Sequence, residues 1–253
     1  MIDMHNFTII LKNLFGYIQF ITDYYNFKRI YKNKRFLMSY SDRWVCISDN
    51  TGNTSFDHHY IYHIAWAARI LSVTKPELHV DISSSLYFCT LISAFIKTDF
   101  YDYRPADISL SNLKMGCPDL TSLHFHDNSL QSLSCMHTIE HIGLGRYGDP
   151  IDPEGDLKAI NELKRVLAPG GNLLFVVPIG KEAKIQFNAH RIYTYNQILS
   201  YFNDLDLIEF SLIADNPNLD DFIENADPNL TELCSYGCGC FWFKKEENKC
   251  QGC

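Results

Sequence analysis

Two things are scarce in this 253-residue chain: glycines at the turn where a nucleotide site would want them, and long unbroken apolar stretches. No run approaches the roughly 18–20 apolar residues that a bilayer-spanning helix requires. Positive charge is also in deficit. A formal net charge of −8 and a pI near 5.6 argue against a nucleic-acid partner held by general electrostatics. Met1 to Asn6 holds Asp3 as its sole charge and so lacks the basic start of a secretory leader. The nine cysteines are therefore expected as reduced thiols in a cytoplasmic setting. No internal repeat or low-complexity tract occurs, and nothing indicates an oligomeric state.

What is present is an ordinary globular composition, 46% hydrophobic and 21% charged, long enough for one large α/β domain or two small ones. Charge is unevenly spread: residues 1–45 hold seven Lys/Arg against three Asp/Glu. Residues 6–37 read as a helical pair or one interrupted helix, with Phe7, Ile10, Leu11, Leu14 and Phe15 at 3–4 spacing. A basic cluster follows at Lys28, Arg29, Lys32, Lys34 and Arg35. Residues 1–55 are thus expected as a helical extension, packed on the domain or making peripheral membrane contact. The turn-rich stretch from Ser39 to Ser55 separates it from residues 56–253.

From Asp57, a plausible N-cap, the pattern predicts a helix carrying His59, Tyr62, His63, Trp66, Ala67 and Ile70 on one face. His59 and His63 are four residues apart. No third ligand is near them in sequence, so they read as core or surface histidines. Strands are expected over Leu78–Ile82, Thr98–Tyr103, Leu130–Met136, Leu173–Val177 and Leu207–Ile213, with a strand-like piece at Leu120–Leu123. Cys240–Phe243 reads as a last, edge-like strand, and Pro178 as the stop of the strand before it. Helices fall between them, over Ser84–Ile96, Asp156–Leu167 (closed by Pro169-Gly170-Gly171) and Tyr195–Phe202. Strands alternating with helices predict a doubly wound, mostly parallel α/β sheet.

In such sheets ligands lie beyond the carboxyl ends of the strands. Four stretches fall there. Asp81 ends the first strand and runs into Ser83, Ser84 and Ser85. Asp102 ends the second, where an acid can accept both ribose hydroxyls. Asp119-Leu120 can meet the amino group of a base. MHTIEH, Met136 to His141, follows the fourth strand. Any one acid could be only a cap. Three at successive strand ends point to one site.

The stretches LTSLHFHDNSLQSLSCMHTIEHI and LKAINELKRVLAPGGNLLFVVPIG carry a resemblance to the class I S-adenosylmethionine-dependent methyltransferases, which extends from Leu78 to about Ile213. The resemblance implies a seven-stranded Rossmann-like sheet and S-adenosylmethionine as cofactor. It implies Asp81 and Ser83 to Ser85 at the methionine moiety, Asp102 at the ribose, and Asp119 and Leu120 at the adenine. Met136 and His137 would line the cleft. The family's D/E-x-G-x-G turn is here Asp81-Ile82-Ser83-Ser84-Ser85, and Gln131 stands where an Asp is common. Serine resists φ > 0 and its Cβ crowds a ligand, while its hydroxyl can bind a carboxylate.

Methyl transfer to a hydroxyl needs a positioned acceptor and a base. His141 or His190 is the expected base and Arg191 the expected clamp for an anionic or polar acceptor, a small molecule or saccharide precursor. The loop GLGRYGDPIDPEG could form a lid bearing Arg146 and Tyr147, or be a plain connection. Cys234, Cys238, Cys240, Cys250 and Cys253 match no two-pair zinc knuckle, so no metal is expected. The competing reading is a methyltransferase-like binding or scaffold protein that has lost its cofactor.

Overall fold

The computed structural model describes residues 4–33 and 35–247; Lys34 of the basic cluster and Cys250 and Cys253 of the tail lie outside them. The chain divides into two compact units, Met1–Phe56 and Asp57–Cys253. In the first, the expected helical pair or interrupted helix is one continuous helix, α1 (Met4–Ile30). It holds no proline, and Gly16 alone is a weak helix former, at about 1 kcal/mol relative to Ala. A Cβ at Gly16 would stand 3.0 Å from Ile47 Cβ, so the returning chain packs there. Tyr24 meets Tyr40 edge-on at 5.2 Å. Lys28 and Arg29 occupy the last turn, where cations complement the helix dipole. Phe7, Ile10, Leu14, Phe15 and Ile18 are exposed. Among the described residues no helix is long and apolar enough to cross a membrane.

The second unit opens with α2 (His58–Thr74), capped by the Asp57 side chain, which accepts from Tyr60 N. Then come β1 (Leu78–Ile82), α3 (Leu86–Ile92), β2 (Lys97–Tyr101), β3 (Leu113–Gly116) and β4 (Leu130–Met136). They are followed by α4 (Gly155–Val166), β5 (Leu167–Ile179), the hairpin β6 (Lys184–Gln186) and β7 (His190–Ile192), α5 (Tyr195–Tyr201), β8 (Asp206–Ile213), β9 (Phe222–Ile223) and β10 (Gly237–Lys244). The main sheet runs β3-β2-β1-β4-β5-β10-β8-β9. Strands β1 to β5 pair in parallel, and β10 is antiparallel to both neighbours. Six of the seven expected strands are there, β3 takes the place of the seventh, and the two-residue β9 adds an eighth at the edge.

Period-2 alternation sorts the two faces. Leu173, Phe175 and Val177 of β5 pack with α4 (Ala159, Ile160, Leu163) and α5 (Ile198) on one side. Leu174 and Val176 pack with α2 (Trp66, Ala67, Ile70) and α3 (Phe88, Ile92) on the other.

Three details differ from the sequence reading. The third strand is Leu113–Gly116, because it finds a ladder on β2, while Leu120–Leu123 is a turn closed by Ser122 N donating to Asp119 O at 3.0 Å. Leu120 and Leu123, three apart, are both buried from that turn, which is what made the piece look strand-like. Second, β10 is no edge: it inserts between β5 and β8, and Phe241 and Phe243 are fully buried. Third, β5 does not stop before Pro178. It continues to Ile179, and the Pro178 carbonyl accepts from Tyr193 N at 3.0 Å. The Pro169-Gly170-Gly171 turn is a register shift inside this strand: Leu130 faces Leu167, then Ser132 faces Asn172. A Cβ at Gly171 would lie 2.9 Å from Leu130 O, so only glycine lets β4 and β5 close around the shift.

Phe241 joins the rings of Phe210, Tyr195 and Phe243 within the core. Phe241→Ala is expected to cost about 3–5 kcal/mol of unfolding free energy, read from urea denaturation.

Candidate active site

A cavity of about 470 Å³ opens at the carboxyl ends of the parallel strands, within the 300–1,000 Å³ range of small-molecule sites. Each strand end contributes: Ser83 after β1; Asp102, Tyr103 and Arg104 after β2; Pro118 to Thr121 after β3; His137, Thr138 and His141 after β4. Tyr60 of α2 and the loop from Gly143 to Gly155 complete the wall.

The first turn is built from inside. Asp81 is fully buried, and its Oδ1 accepts from Ser134 Oγ of β4 at 2.6 Å and from Ser84 Oγ. Ser84 Oγ in turn accepts from Met136 N at 3.2 Å. Behind it, His79 spans Ser132 and Ser134 at 2.8 and 2.9 Å. The ends of β1 and β4 are thus tied by side chains as well as by the ladder. The other Asp81 oxygen, Oδ2, is buried without a hydrogen-bond partner. Burial pushes the Asp81 pKa up to about 7, against the pull of the two serine hydroxyls. Ser83 takes the left-handed conformation at φ +55° that a glycine would adopt freely. Its N–H and hydroxyl both bond Tyr101 O, at 2.7 and 3.1 Å, and Thr138 Oγ1 donates to Ser83 O at 3.1 Å. The serine turn therefore forms the glycine-type bend and is held by β2 and by the segment after β4.

Of the anticipated cofactor residues, Ser83, Asp102, Asp119, Leu120 and His137 line the cavity. Asp81, Ser84 and Met136 stand behind its wall, used in the β1–β4 junction, and Ser85 is the N-cap residue of α3, without a side-chain capping bond. Asp102 Oδ1 accepts from Arg104 N at 2.7 Å, and Asp119 Oδ1 from Thr121 N and Oγ1 at 2.8 and 2.6 Å. The loop bearing Asp119 is anchored by Arg165 of α4, which donates to Leu123 O, Phe125 O, Asp127 and Glu162.

His141 lines the cavity, and its Nδ1 lies 2.6 Å from Ala189 O. A carbonyl only accepts, so Nδ1 carries the proton and Nε2 the lone pair. Burial lowers the His141 pKa below its ordinary value, against the attraction of Glu140. His190 lies on β7, outside the cavity lining, stacked on Tyr236 at 4.9 Å with Nε2 buried and unpartnered. Arg191 is not free to clamp an acceptor. It is 5% exposed, 3.5 Å from Asp156, and donates to Ile142 O and Pro153 O at 2.6 and 3.2 Å. It braces the two ends of the glycine-rich loop.

That loop is part of the site. Asp149 Oδ2 accepts from Gly143 N and Gly145 N and Oδ1 from Tyr147 N. Burial pushes the Asp149 pKa up, but these backbone N–H groups outweigh it and leave it below the ordinary carboxylate value. Gly143 is required at φ +81°, since a Cβ would meet Asp152 O at 2.0 Å. Tyr147 lies under the Arg104 guanidinium at 4.4 Å, linking the loop to the turn after β2. Arg146 is outside the lining and donates to Ala189 O at 3.0 Å.

Sequence reasoning named Glu140, His59 and Cys238 separately and missed that they meet at His137. Glu140, 1% exposed, accepts from His137 Nδ1 at 2.8 Å, and its pKa is raised to about 7 by burial. Cys238 Sγ lies 3.3 Å from His137 Nε2. His59 stacks on His137 at 5.2 Å and 14°, and His63 meets it edge-on at 5.2 Å. These side chains come from α2, the β4 end and β10, and no local motif joins them; the His59/His63 spacing and the run of C-terminal cysteines were the available signals.

The buried Asp81 gives a pH signature. Its folded-state pKa is raised, so its contribution to stability is present below the ordinary value near 4 and is lost as pH rises toward 7. Asp81→Asn, neutral throughout, should gain relative to wild type over that interval, by at most about 4 kcal/mol. Urea denaturation of both proteins at pH 4.5 and 7.5 measures the difference; a constant difference would refute the assignment.

A family model described as "Caenorhabditis protein of unknown function, DUF268" matches residues 114–218. No curated protein matches the sequence. Solved structures similar to the chain include the N-methyltransferase NodS from Bradyrhizobium japonicum WM9 in complex with S-adenosyl-L-homocysteine. It is 13% identical over 75% of this chain and 88% of that one, with a TM-score of 0.51. Another is Burkholderia thailandensis 1,6-didemethyltoxoflavin-N1-methyltransferase with bound 1,6-didemethyltoxoflavin and S-adenosylhomocysteine, 8% identical over 96% and 90% of the chains, with a TM-score of 0.54. The [4+2]-cyclase SpnF is similar too, at 14% identity over 79% and 86% and a TM-score of 0.50. Strand order, the antiparallel β10 and these neighbours agree: the chain has the Rossmann-like α/β fold of the class I methyltransferases.

Proposed function

We propose that the protein is an S-adenosylmethionine-dependent methyltransferase acting on a hydroxyl of a small molecule or saccharide precursor. The observation that carries this reading is the single cavity wall that unites Ser83, Asp102, Asp119 and Leu120 at three successive strand ends. These residues suit an adenosyl ligand. Ser83 already holds the left-handed turn, Asp102 presents a carboxylate at the ribose position, and Leu120 with Asp119 offers an apolar surface beside an acceptor for the adenine. The unpartnered Asp81 Oδ2 behind the turn leaves room for a bridging water to tie the turn to the cavity.

S-adenosylmethionine, when bound, supplies an electrophilic methyl group. The chain's own residues then position the acceptor and take its proton. His141, neutral at pH 7 and with Nε2 as its lone-pair nitrogen, is the proposed base. Glu140 Oε1, 3.8 Å from His141 Nε2, favours the imidazolium that proton transfer creates. The loop from Gly143 to Gly155 walls the acceptor end and keeps water out, with Arg191 holding its base and Tyr147 its contact with Arg104. A non-catalytic binding protein is the second reading, favoured by the use of Ser84 inside the β1–β4 junction rather than toward a ligand.

Calorimetry separates the two. S-adenosylhomocysteine should bind the wild type and bind Asp102→Ala about 10–100-fold more weakly, the loss of hydrogen bonds to one charged group. No heat at millimolar ligand would exclude the methyltransferase reading. We also propose that residues 1–55 make peripheral membrane contact, supported by exposed Phe7, Ile10, Leu14 and Phe15 and by the basic residues that follow. The full chain should sediment with anionic phospholipid vesicles and lose that property when residues 1–55 are removed; equal sedimentation of both would refute it.

A further inference from the structure

We propose that His59, Cys238 and His137 form a binding site for a borderline-soft divalent metal ion, with zinc as the natural occupant. Their ligand atoms lie within 4.8 Å of one another, and His137 and Cys238 are buried. The reading is independent of methyl transfer.

The geometry fits on four counts. First, the separation of 3.3 Å between Cys238 Sγ and His137 Nε2 is near the edge of a tetrahedral site, about 3.6 Å for Zn–S of roughly 2.3 Å and Zn–N of roughly 2.05 Å. A thiol hydrogen bond would explain that contact alone. It gives no reason for a second imidazole, His59, to lie nearly parallel to His137 at 5.2 Å with its own ligand atom in the same cluster. Second, His137 has the tautomer a ligand needs. Its Nδ1 donates to Glu140 Oε1 at 2.8 Å, which leaves the Nε2 lone pair aimed at Cys238. A carboxylate behind a ligating imidazole is the recurrent support of such sites. Third, His137 sits at φ +55°, a conformation costly for a non-glycine residue, and so its ring is presented by a strained turn directly after β4. Fourth, the donor set, two imidazoles and one thiolate, suits zinc rather than the oxygen-seeking ions.

Three protein ligands leave a fourth position open, as in sites that carry an exchangeable water or a substrate oxygen. His137 also lines the cavity, so the ion would stand in the cavity wall beside Tyr60. Binding forms Zn–S and Zn–N bonds and releases the Cys238 thiol proton to solvent.

Cobalt(II) is the probe. After chelator treatment in reducing buffer, one equivalent of Co²⁺ added to the full chain should produce a thiolate-to-cobalt charge-transfer band with d–d absorption of tetrahedral intensity. Zn²⁺ should then bleach both. Cys238→Ser, close in size, should abolish the charge-transfer band, while Cys46→Ser and Cys117→Ser, at exposed thiols, should leave it unchanged. Glu140→Gln should lower Co²⁺ affinity about 10–100-fold. His59→Gln, at a half-buried position that spares the core, should weaken binding yet keep the band at saturating cobalt. A chain folded by near-ultraviolet circular dichroism that yields no band, a band that survives Cys238→Ser, or an affinity unchanged in His59→Gln would overturn the assignment.

Discussion

The site depends on one buried polar junction between the ends of β1 and β4. Asp81 receives hydroxyls from both strands, Ser84 from the turn after β1 and Ser134 from β4, and His79 extends the chain of bonds one layer deeper. Parallel strands align their carboxyl ends only if register is held, and hydrophobic packing alone specifies register weakly when both faces of a strand are apolar. Here directional bonds set it. A buried carboxyl with an unpartnered oxygen is expensive, and its raised pKa expresses that cost.

From that junction the cavity is assembled by loops braced at a distance. Arg191 and Asp156 are buried together under the glycine-rich segment, and Arg165 gathers the turn carrying Asp119 onto α4. Both arginines divide their guanidinium forks between carboxylates and the backbone carbonyls of a loop, which positions the loop without touching a ligand. An arginine beside a histidine in sequence reads naturally as a substrate clamp. In the fold it is a strut, because β7 directs it inward against α4 while the neighbouring His190 stacks on Tyr236.

The histidine-rich wall has a different origin. Its members arrive from α2, from the turn after β4 and from β10, three segments far apart in the chain that meet because β10 enters the sheet interior next to β5. Had β10 been an edge strand, Cys238 would have been remote from His137. The same insertion buries Phe241 and Phe243 and so couples this wall to core stability.

Local chemistry made much of the architecture legible. Alternating strand and helix patterns, the acids at strand ends, the Asp57 cap and the Pro-Gly-Gly segment all act over a few residues, and so the doubly wound sheet could be read in advance, and with it the position of Ser83, Asp102, Asp119, Leu120, His137 and His141 beyond the strand ends. What was decided by packing is everything that depends on long-range pairing. The rank of β10 in the sheet, the true third strand, the inward turn of Arg191, the use of Ser84 and Asp81 as internal ties, and the meeting of His59, His137 and Cys238 are set by which surfaces bury against each other. Periodicity records that a residue is buried; it does not record its neighbours, because that information lies in pairings between distant segments rather than in any one of them.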